Sequence, residues 1–131
     1  MAQNIFTIDG RDFDVRIPQD GIKRSGQVLD SAETERLENG EMFRDIIGTY
    51  YNYTIQVDTK NLKVEEYDEL YDLVTQPVEK HTITVPYGQT TLSFDAYITS
   101  AEDSLLKREN GVNYWHGLTL AFIALKPNII A

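Results

Sequence analysis

Alternating hydrophobic and polar positions recur along this chain, and they predict β-strands. The clearest alternation lies in residues 90–99, where the apolar positions are Leu92, Phe94, Ala96 and Ile98. Residues 50–58 alternate as well, with Tyr51, Tyr53, Ile55 and Val57 on one side. Because side chains of a strand point to opposite faces in turn, each segment is expected to bury one face in a core.

Weaker strand patterns precede and follow these two segments. Residues 5–8 and 11–17 flank Asp9-Gly10, which predicts a hairpin because both residues tolerate positive φ. Residues 22–29 form a further candidate strand. Residues 81–85 form another candidate strand, which ends in a turn at residues 86–88. Residues 112–126 are long enough for a bent strand, with Gly117 at the bend.

A single helix is predicted between Asn61, as N-cap, and Pro77, which ends it. Its apolar positions recur with helical spacing and are Val64, Tyr67, Leu70, Tyr71 and Val74. The acidic residues of the opposite side are expected to face solvent. Six to eight strands and one helix indicate a mainly β fold, an antiparallel β-sandwich or barrel with the helix covering one open side.

Two polar segments, residues 30–41 and 100–111, interrupt the strand pattern. An Asn-Gly pair lies near the end of each, at residues 39–40 and 110–111. Both segments are expected to be long loops. A structureless loop of about a dozen residues is uncommon in a compact domain and is often functional. The remaining chain has no linker or repeat, so residues 1–131 are expected to form one domain.

Composition and charge exclude several classes of function. Twelve Lys and Arg against 21 Asp and Glu give a formal net charge of −9, which disfavours binding to nucleic acid or to an anionic membrane. There is no cysteine, so disulfides and thiolate chemistry are excluded. The chain shows neither a signal-peptide pattern nor an apolar run long enough to span a membrane, and a cytoplasmic protein is expected.

Candidate catalytic and metal-binding residues are few. The chain has no G-x-S-x-G, H-E-x-x-H or phosphate-binding glycine loop. His81, His116 and Asp95 would provide metal ligands if they met, but two separately partnered sheet histidines are the favoured interpretation. We therefore predict no enzyme activity, no catalytic or metal-binding residue and no cofactor.

Carboxylates offer two further alternatives. The fragment Asp9, Asp12 and Asp14 has some ligands of a calcium loop but lacks the spacing and the closing Glu. The helix carries the pairs Glu65 with Glu69 and Asp68 with Asp72, which would suit acid–base chemistry only if buried. A solvated helix face that complements the helix dipole is the favoured interpretation.

Tyrosine is the residue type that most favours an interaction function. Eight of the 14 aromatic residues are Tyr, and neighbouring tyrosines on a strand point to opposite faces, so at least one lies outside the core. Tyrosine is common at protein interfaces. The candidate interface residues, with leucines from the two polar segments, are Tyr50, Tyr51, Tyr53, Leu37, Leu105 and Leu106.

The stretches RDIIGTYYNYTIQVDT (residues 44–59) and EYDELYDLVTQPVEKHTITVPYGQTTLSFDAYITS (residues 66–100) resemble small tail proteins of phages and prophages of low-GC Gram-positive bacteria. The resemblance extends over residues 44–127 and lies in the order of elements. It implies the one-helix sandwich of tail-tube, connector and distal-tail adaptor proteins, whose sheets join edge to edge in rings. It implies no catalytic residues, and it makes residues 30–41 and 100–111 assembly arms.

Two functions from different classes follow as expectations. The first is a structural component of a phage tail, which forms homo-oligomers and contacts other tail proteins, resides in the virion and is cytoplasmic before assembly. It binds neither membranes nor specific nucleic acid sequences and has no deep pocket. The alternative is a monomeric module that binds a small ligand or glycan through Tyr50, Tyr53, Tyr97 or Trp115 in an aromatic cavity.

Overall fold

A computed structural model describes residues 6–131 of this chain. The chain is mainly antiparallel β-structure with one short helix, as the alternation of hydrophobic and polar positions predicts. In chain order the elements are β1 (Thr7–Ile8), β2 (Ile22–Asp30), β3 (Glu35–Arg36), β4 (Met42–Phe43), β5 (Ile46–Val57), α1 (Val64–Val74), β6 (His81–Tyr87), β7 (Thr90–Glu109), β8 (Val112–Ala124) and β9 (Ile129–Ile130).

Seven of these strands form one large antiparallel sheet, in an arrangement consistent with a β-sandwich. The strand order is β1-β6-β7-β8-β5-β2, and β9 pairs with the first residues of β5 beyond the end of β8. Strands β3 and β4 pair only with each other in a small second sheet. The fold class predicted from the sequence is therefore confirmed.

The large sheet curls, so that strands distant in the sheet order meet. Strands β5 and β6 are separated by β8 and β7, yet the hydroxyls of Tyr51 and Tyr87 lie 3.0 Å apart. The Tyr53 hydroxyl donates a hydrogen bond of 2.8 Å to the carbonyl oxygen of Pro86. These contacts bring the inner faces of the two halves of the sheet together around the core.

The core consists of the inward-facing side chains of the strands and one face of the helix. The most deeply buried are Ile8, Tyr53, Ile55, Leu70, Ile83, Val85, Leu118, Leu120 and Phe122. Full burial of one such aliphatic or aromatic side chain stabilises a fold by about 1.5–3 kcal/mol. The helix contributes Tyr67, Leu70 and Val74, which belong to the predicted apolar stripe.

The helix begins two residues later than the sequence pattern indicates. Its N-cap is Lys63 rather than Asn61, and the Glu66 carboxylate accepts a hydrogen bond of 3.3 Å from the Lys63 backbone N–H. A glutamate at this third helical position satisfies the backbone N–H of the cap residue itself. At the other end Val74 is the last helical residue, before Pro77.

Residues 11–17 keep the predicted alternation of burial but are not a strand. Phe13 is buried, while the only ladder contacts are isolated bridges at Arg11 and Arg16. The Asp9-Gly10 turn itself is confirmed, since φ is 52° at Asp9 and 73° at Gly10. Residue 5 of the first predicted strand lies outside the described residues.

The predicted loop at residues 100–111 is wrong. Strand β7 continues to Glu109 and pairs with β8 in a long hairpin, with Asn110 and Gly111 as its two-residue turn. Their φ angles of 51° and 77° fit the turn type that Asn-Gly favours. The predicted bend at Gly117 is confirmed, because Gly117 and Leu118 oppose one residue of β7 in a bulge and φ at Gly117 is 69°.

The predicted loop at residues 30–41 is also more ordered than expected. Its middle contains β3, which pairs with β4 through Glu35 with Phe43 and Arg36 with Met42. A hydrogen bond of 2.6 Å from the Leu37 N–H to the Glu41 carbonyl oxygen closes the loop between β3 and β4. The segment is therefore a small hairpin that follows the end of β2, close to the start of β5.

Candidate functional site

Large apolar side chains are exposed at two opposite ends of the sheet. The β5–β8 pairing runs from Asn52 with Ile123 to Val57 with Leu118. Strand β5 extends about six residues, or roughly 20 Å, beyond one end of this pairing. The β7–β8 hairpin extends about as far beyond the other end. The two groups of exposed side chains therefore lie far apart on the same molecule.

The first group, here called the hairpin end, lies near the tip of the β7–β8 hairpin. It consists of Leu105, Leu106, Lys107, Arg108, Tyr114 and Trp115. Leu106 is 59% and Trp115 40% exposed. The Lys107 ammonium lies 5.1 Å from the centre of the Tyr114 ring, and Arg108 donates to Asn113. Residues 105–116 contain two cations and one carboxylate, an excess of positive charge in a strongly acidic chain.

The second group, here called the acidic end, surrounds the first residues of β5. Its exposed apolar side chains are Val28, Leu29, Leu37, Met42, Phe43, Ile46, Ile47, Ile129 and Ile130. Residues 30–45 add six carboxylates and two arginines, a net charge of −4. One of these arginines, Arg44, is neutralised by Asp30 at 2.8 Å.

Apolar side chains of the acidic end lie on both faces of its strands. Val28 and Ile129 pair with Thr49, whereas Leu29 and Ile130 pair with Gly48. Since neighbouring residues of a strand point to opposite faces, apolar groups project from each side of this extension. A surface of this kind is unusual for a monomer in water and is typical of an interaction surface.

A groove of about 740 Å³ separates the start of α1 from the hairpin end. Its apolar lining includes Leu62, Val64, Tyr67, Leu106, Tyr114 and Trp115. Lys60 and Lys63 line it together with Asp58 and Asp68, so these charges offset one another. The groove has the size and the aromatic lining of a small-molecule site.

The wall of this groove is anchored by tyrosines of the helix. The Tyr67 hydroxyl donates a hydrogen bond of 2.7 Å to the Asp103 carboxylate. Tyr71 donates a longer bond, 3.4 Å, to the Ala101 carbonyl oxygen. Burial, and then the hydrogen bond to Asp103, raise the pKa of Tyr67 far above its ordinary value. Its hydroxyl therefore stays a donor, and the base of the hairpin stays attached to α1.

The candidate interface residues differ in their exposure to solvent. Leu37, Leu105 and Leu106 are exposed by 43%, 48% and 59%, while Tyr50 and Tyr51 are half-buried. The prediction that Tyr53 is an interface residue is wrong, because Tyr53 is only 1% exposed and its hydroxyl donates a hydrogen bond to the Pro86 carbonyl oxygen. It faces the core since it shares the inner face of β5 with Ile55 and Val57.

The four aromatic residues of the ligand-binding alternative are not brought together. Tyr53 is in the core, and Tyr50 is half-buried on the opposite face of β5. Trp115 lines the groove, and Tyr97 lines a separate depression near the end of α1. The groove instead combines Trp115 with Tyr67 and Tyr114. The sequence pattern did not indicate this grouping because it depends on the hairpin passing beside the helix.

The two histidines lie apart in the sheet, as expected for two separately partnered sheet histidines. His81 pairs with Ala96 of β7 and His116 with Ser104, about 25 Å apart along that strand. His81 is buried with its Nδ1 atom 2.6 Å from the Asp9 carboxylate. Asp95 instead contacts Lys80, and hydrogen bonds from Lys80 and Thr82 lower the pKa of Asp95. Among residues 6–131 no group of three or more acidic or histidine side chains is placed to hold a metal ion.

The other carboxylate candidates have structural contacts. Asp9, from the fragment that resembles a calcium loop, contacts His81 and accepts a hydrogen bond from the Thr82 N–H. Glu69 of the helix is exposed and forms an ion pair of 2.9 Å with Arg11. These contacts match the interpretation of the carboxylates as turn and helix-surface groups.

Several exposed residues of the two ends were missed in the sequence. Met42 and Phe43 lie between the loop predicted at residues 30–41 and the strand predicted at residues 50–58, and Lys107 and Arg108 lie in the loop predicted at residues 100–111. A signal was present nonetheless. Leu37, Met42, Phe43, Leu105 and Leu106 are large apolar residues in otherwise polar segments, an arrangement with no use in a solvated loop.

No protein-family model matches this chain, and no curated protein matches its sequence. Across the described residues, no helix is long and apolar enough to cross a membrane.

Proposed function

We propose that this protein is a non-enzymatic structural subunit of a phage or prophage tail, which assembles into oligomers through its sheet edges and extended arms. The observation that carries the proposal is the exposure of large apolar side chains at both ends of the sheet. A monomer rarely exposes such surfaces unless a partner covers them. The resemblance of residues 44–127 to small tail proteins supplies the tail assignment.

The sheet has features that support edge-to-edge assembly as well. Strand β2 is the last strand in the sheet order, and its residues 23–29 are exposed. Unpaired N–H and C=O groups along such edges are a ready template for a strand of another subunit.

Immunogold electron microscopy of phage particles tests the tail assignment. Antibodies against this chain would be applied to particles released from the bacterium that carries the gene, after induction of its prophage. We expect gold label on the tail and none on the capsid. Particles with intact tails that carry no label would refute the assignment. A strain with the gene deleted serves as the control for antibody specificity.

The groove favours a second candidate function, the binding of a small ligand or glycan. Tyr67, Tyr114 and Trp115 provide aromatic surface, and Asn113 and Asp68 provide polar groups that fix a ligand's orientation. A thermal-shift screen of sugars and small aromatic compounds tests this function. A hit must lose its effect in Trp115→Ala, whereas Tyr97→Ala, outside the groove, is the matched control. A ligand bound by a monomer at every concentration would favour this function over the structural one.

A further inference from the structure

We propose that two copies of this chain join head to tail, with the hairpin end of one copy seated on the acidic end of the next. This inference rests on the proposed structural role and names the contact that would perform it. It is carried by three observations on the described residues: both ends expose apolar side chains, the ends carry opposite charge, and they lie at opposite extremes of the sheet.

Apolar complementarity provides the first argument. The hairpin end offers Leu105, Leu106 and Trp115, and the small β3–β4 hairpin of the acidic end offers Met42 and Phe43, all at least 40% exposed. Burial of these side chains against one another would remove apolar surface of both ends from water in one contact. Aromatic side chains and methionine are typical of the centre of a protein interface.

Charge decides which end meets which. Lys107, Arg108 and Glu109 give the hairpin end a net charge of +1, with Lys107 and Glu109 paired at 3.0 Å, whereas residues 30–45 have a net charge of −4. Contact between two acidic ends would bring like charges together, which is unfavourable. Contact between unlike ends places Lys107 and Arg108 beside the exposed carboxylates of β3–β4, namely Glu35, Glu38 and Glu41.

Geometry excludes the same contact within one chain. The hairpin turn at Asn110 lies beyond the Val57 end of β5, and the acidic end lies beyond Asn52, toward Ile46. The rigid sheet between them prevents the hairpin from folding back. A contact between different surfaces of identical subunits is heterologous, so it repeats from copy to copy. It produces a ring if the rotation closes and a filament if it does not.

A charge-reversal exchange, followed by sedimentation velocity over a concentration series, tests the proposal. The first variant is K107E/R108E, and the second is E35K/E38K/E41K. All five substituted side chains are exposed, so both variants should keep the fold, as circular dichroism would verify. The matched control R16E/K126E makes the same change in net charge as the first variant, at exposed positions outside both ends and outside the β2 edge.

We expect the wild-type chain and the control to associate, and each variant alone to bind itself at least about tenfold more weakly, since like charges then face each other. A mixture of the two variants should regain association, because unlike ends meet in both combinations. Association of the wild type should also weaken with salt, since exposed charges are screened.

Three results would overturn the head-to-tail contact: a wild-type monomer at every concentration, unchanged association of either variant, or a mixture that remains dissociated. None of these results bears on the gold labelling of tails. A labelled tail with failed exchange would leave the tail assignment standing and remove this contact. An unlabelled tail with successful exchange would leave the contact and remove the assignment.

Discussion

The hydroxyl groups of Tyr51 and Tyr87 lie 3.0 Å apart, although two strands separate β5 from β6 in the sheet. Their rings are also in contact, with centres 5.3 Å apart, and Arg24 of the edge strand β2 lies over the Tyr87 ring. The curled sheet is therefore closed by tyrosines on one side. The first residues of β5 and the tip of the β7–β8 hairpin extend into solvent at opposite ends of the sheet.

The Tyr51–Tyr87 contact is expected to show in the titration of Tyr51. The hydrogen bond to Tyr87, followed by burial, raises the pKa of Tyr51 above its ordinary value. In Tyr87→Phe the pKa of Tyr51 should fall toward that of a free tyrosine, which NMR of labelled tyrosine rings would measure. Tyr97→Phe, at an exposed position, is the control and should leave the Tyr51 titration unchanged. A Tyr51 pKa unaffected by Tyr87→Phe would contradict the contact.

Tyr53→Phe should destabilise the fold by about 0.5–1.5 kcal/mol, because the Pro86 carbonyl oxygen loses its hydrogen bond in a buried position. Urea denaturation would measure the change in the free energy of unfolding. Tyr50→Phe, on the opposite face of β5, serves as the control, and its effect should stay within about 0.5 kcal/mol. Equal effects of both substitutions would mean that the buried hydroxyl of Tyr53 lacks this role.

Substitution of a buried and of an exposed leucine should affect stability and association differently. Leu120→Ala removes a fully buried side chain and should cost about 2–5 kcal/mol of unfolding free energy. Leu106→Ala lies at the exposed hairpin end, so the monomer should lose less than about 0.5 kcal/mol while association weakens. Denaturation and sedimentation of both variants test this contrast. Full association of Leu106→Ala would argue against the hairpin end as an interface.

The stability of the fold should decrease at alkaline pH partly through Tyr67. Its pKa in the folded chain is raised, chiefly by burial, above the unfolded value of about 10. A raised pKa means that the stabilisation is fully present below the unfolded pKa and is lost as the pH rises toward the folded one. In Tyr67→Phe this loss above about pH 10 should be smaller, as denaturation at several pH values would measure. An identical pH dependence in both proteins would contradict the burial of the Tyr67 hydroxyl.

Gly48→Ala should displace β9 from β5. A Cβ atom at Gly48 would collide with the carbonyl oxygen of Ile129, which is backbone and cannot rotate away. Faster hydrogen exchange of the Asn128 N–H, which bonds to Thr49, would report the displacement. Gly26→Ala is the control, because its Cβ would meet only the Tyr51 ring at an ordinary 3.4 Å. Unchanged protection of Asn128 would show that β9 does not depend on this close approach.

Strands that bury one face could be predicted from the sequence, because their hydrophobic and polar residues alternate. Strands that are exposed on both faces could not be predicted in this way. Strand β5 and the first half of β7 alternate because one side faces the core. The second half of β7 is exposed on both sides, so Ser104 to Glu109 carry no alternation and resemble a loop. Conversely, residues 11–17 alternate because Phe13 packs into the core, although the segment lacks a strand partner over most of its length.

The candidate surfaces depended on pairings that a single sequence does not encode locally. Leu37 and Leu106 were singled out because they are apolar within polar segments. Their separation to opposite ends follows from the antiparallel pairing of β5 with β8, and the grouping of Tyr67 with Trp115 follows from the packing of α1 beside the hairpin. Both are contacts between residues distant in the chain.

Negative-stain electron microscopy of the purified protein over a concentration series tests assembly most directly. The account predicts rings or stacked filaments that become more numerous as the concentration rises, since exposed apolar ends of opposite charge should join copy to copy. Small single particles at every concentration would contradict it. The groove beside Trp115 would then become the leading functional site, and ligand binding by a monomer the leading function.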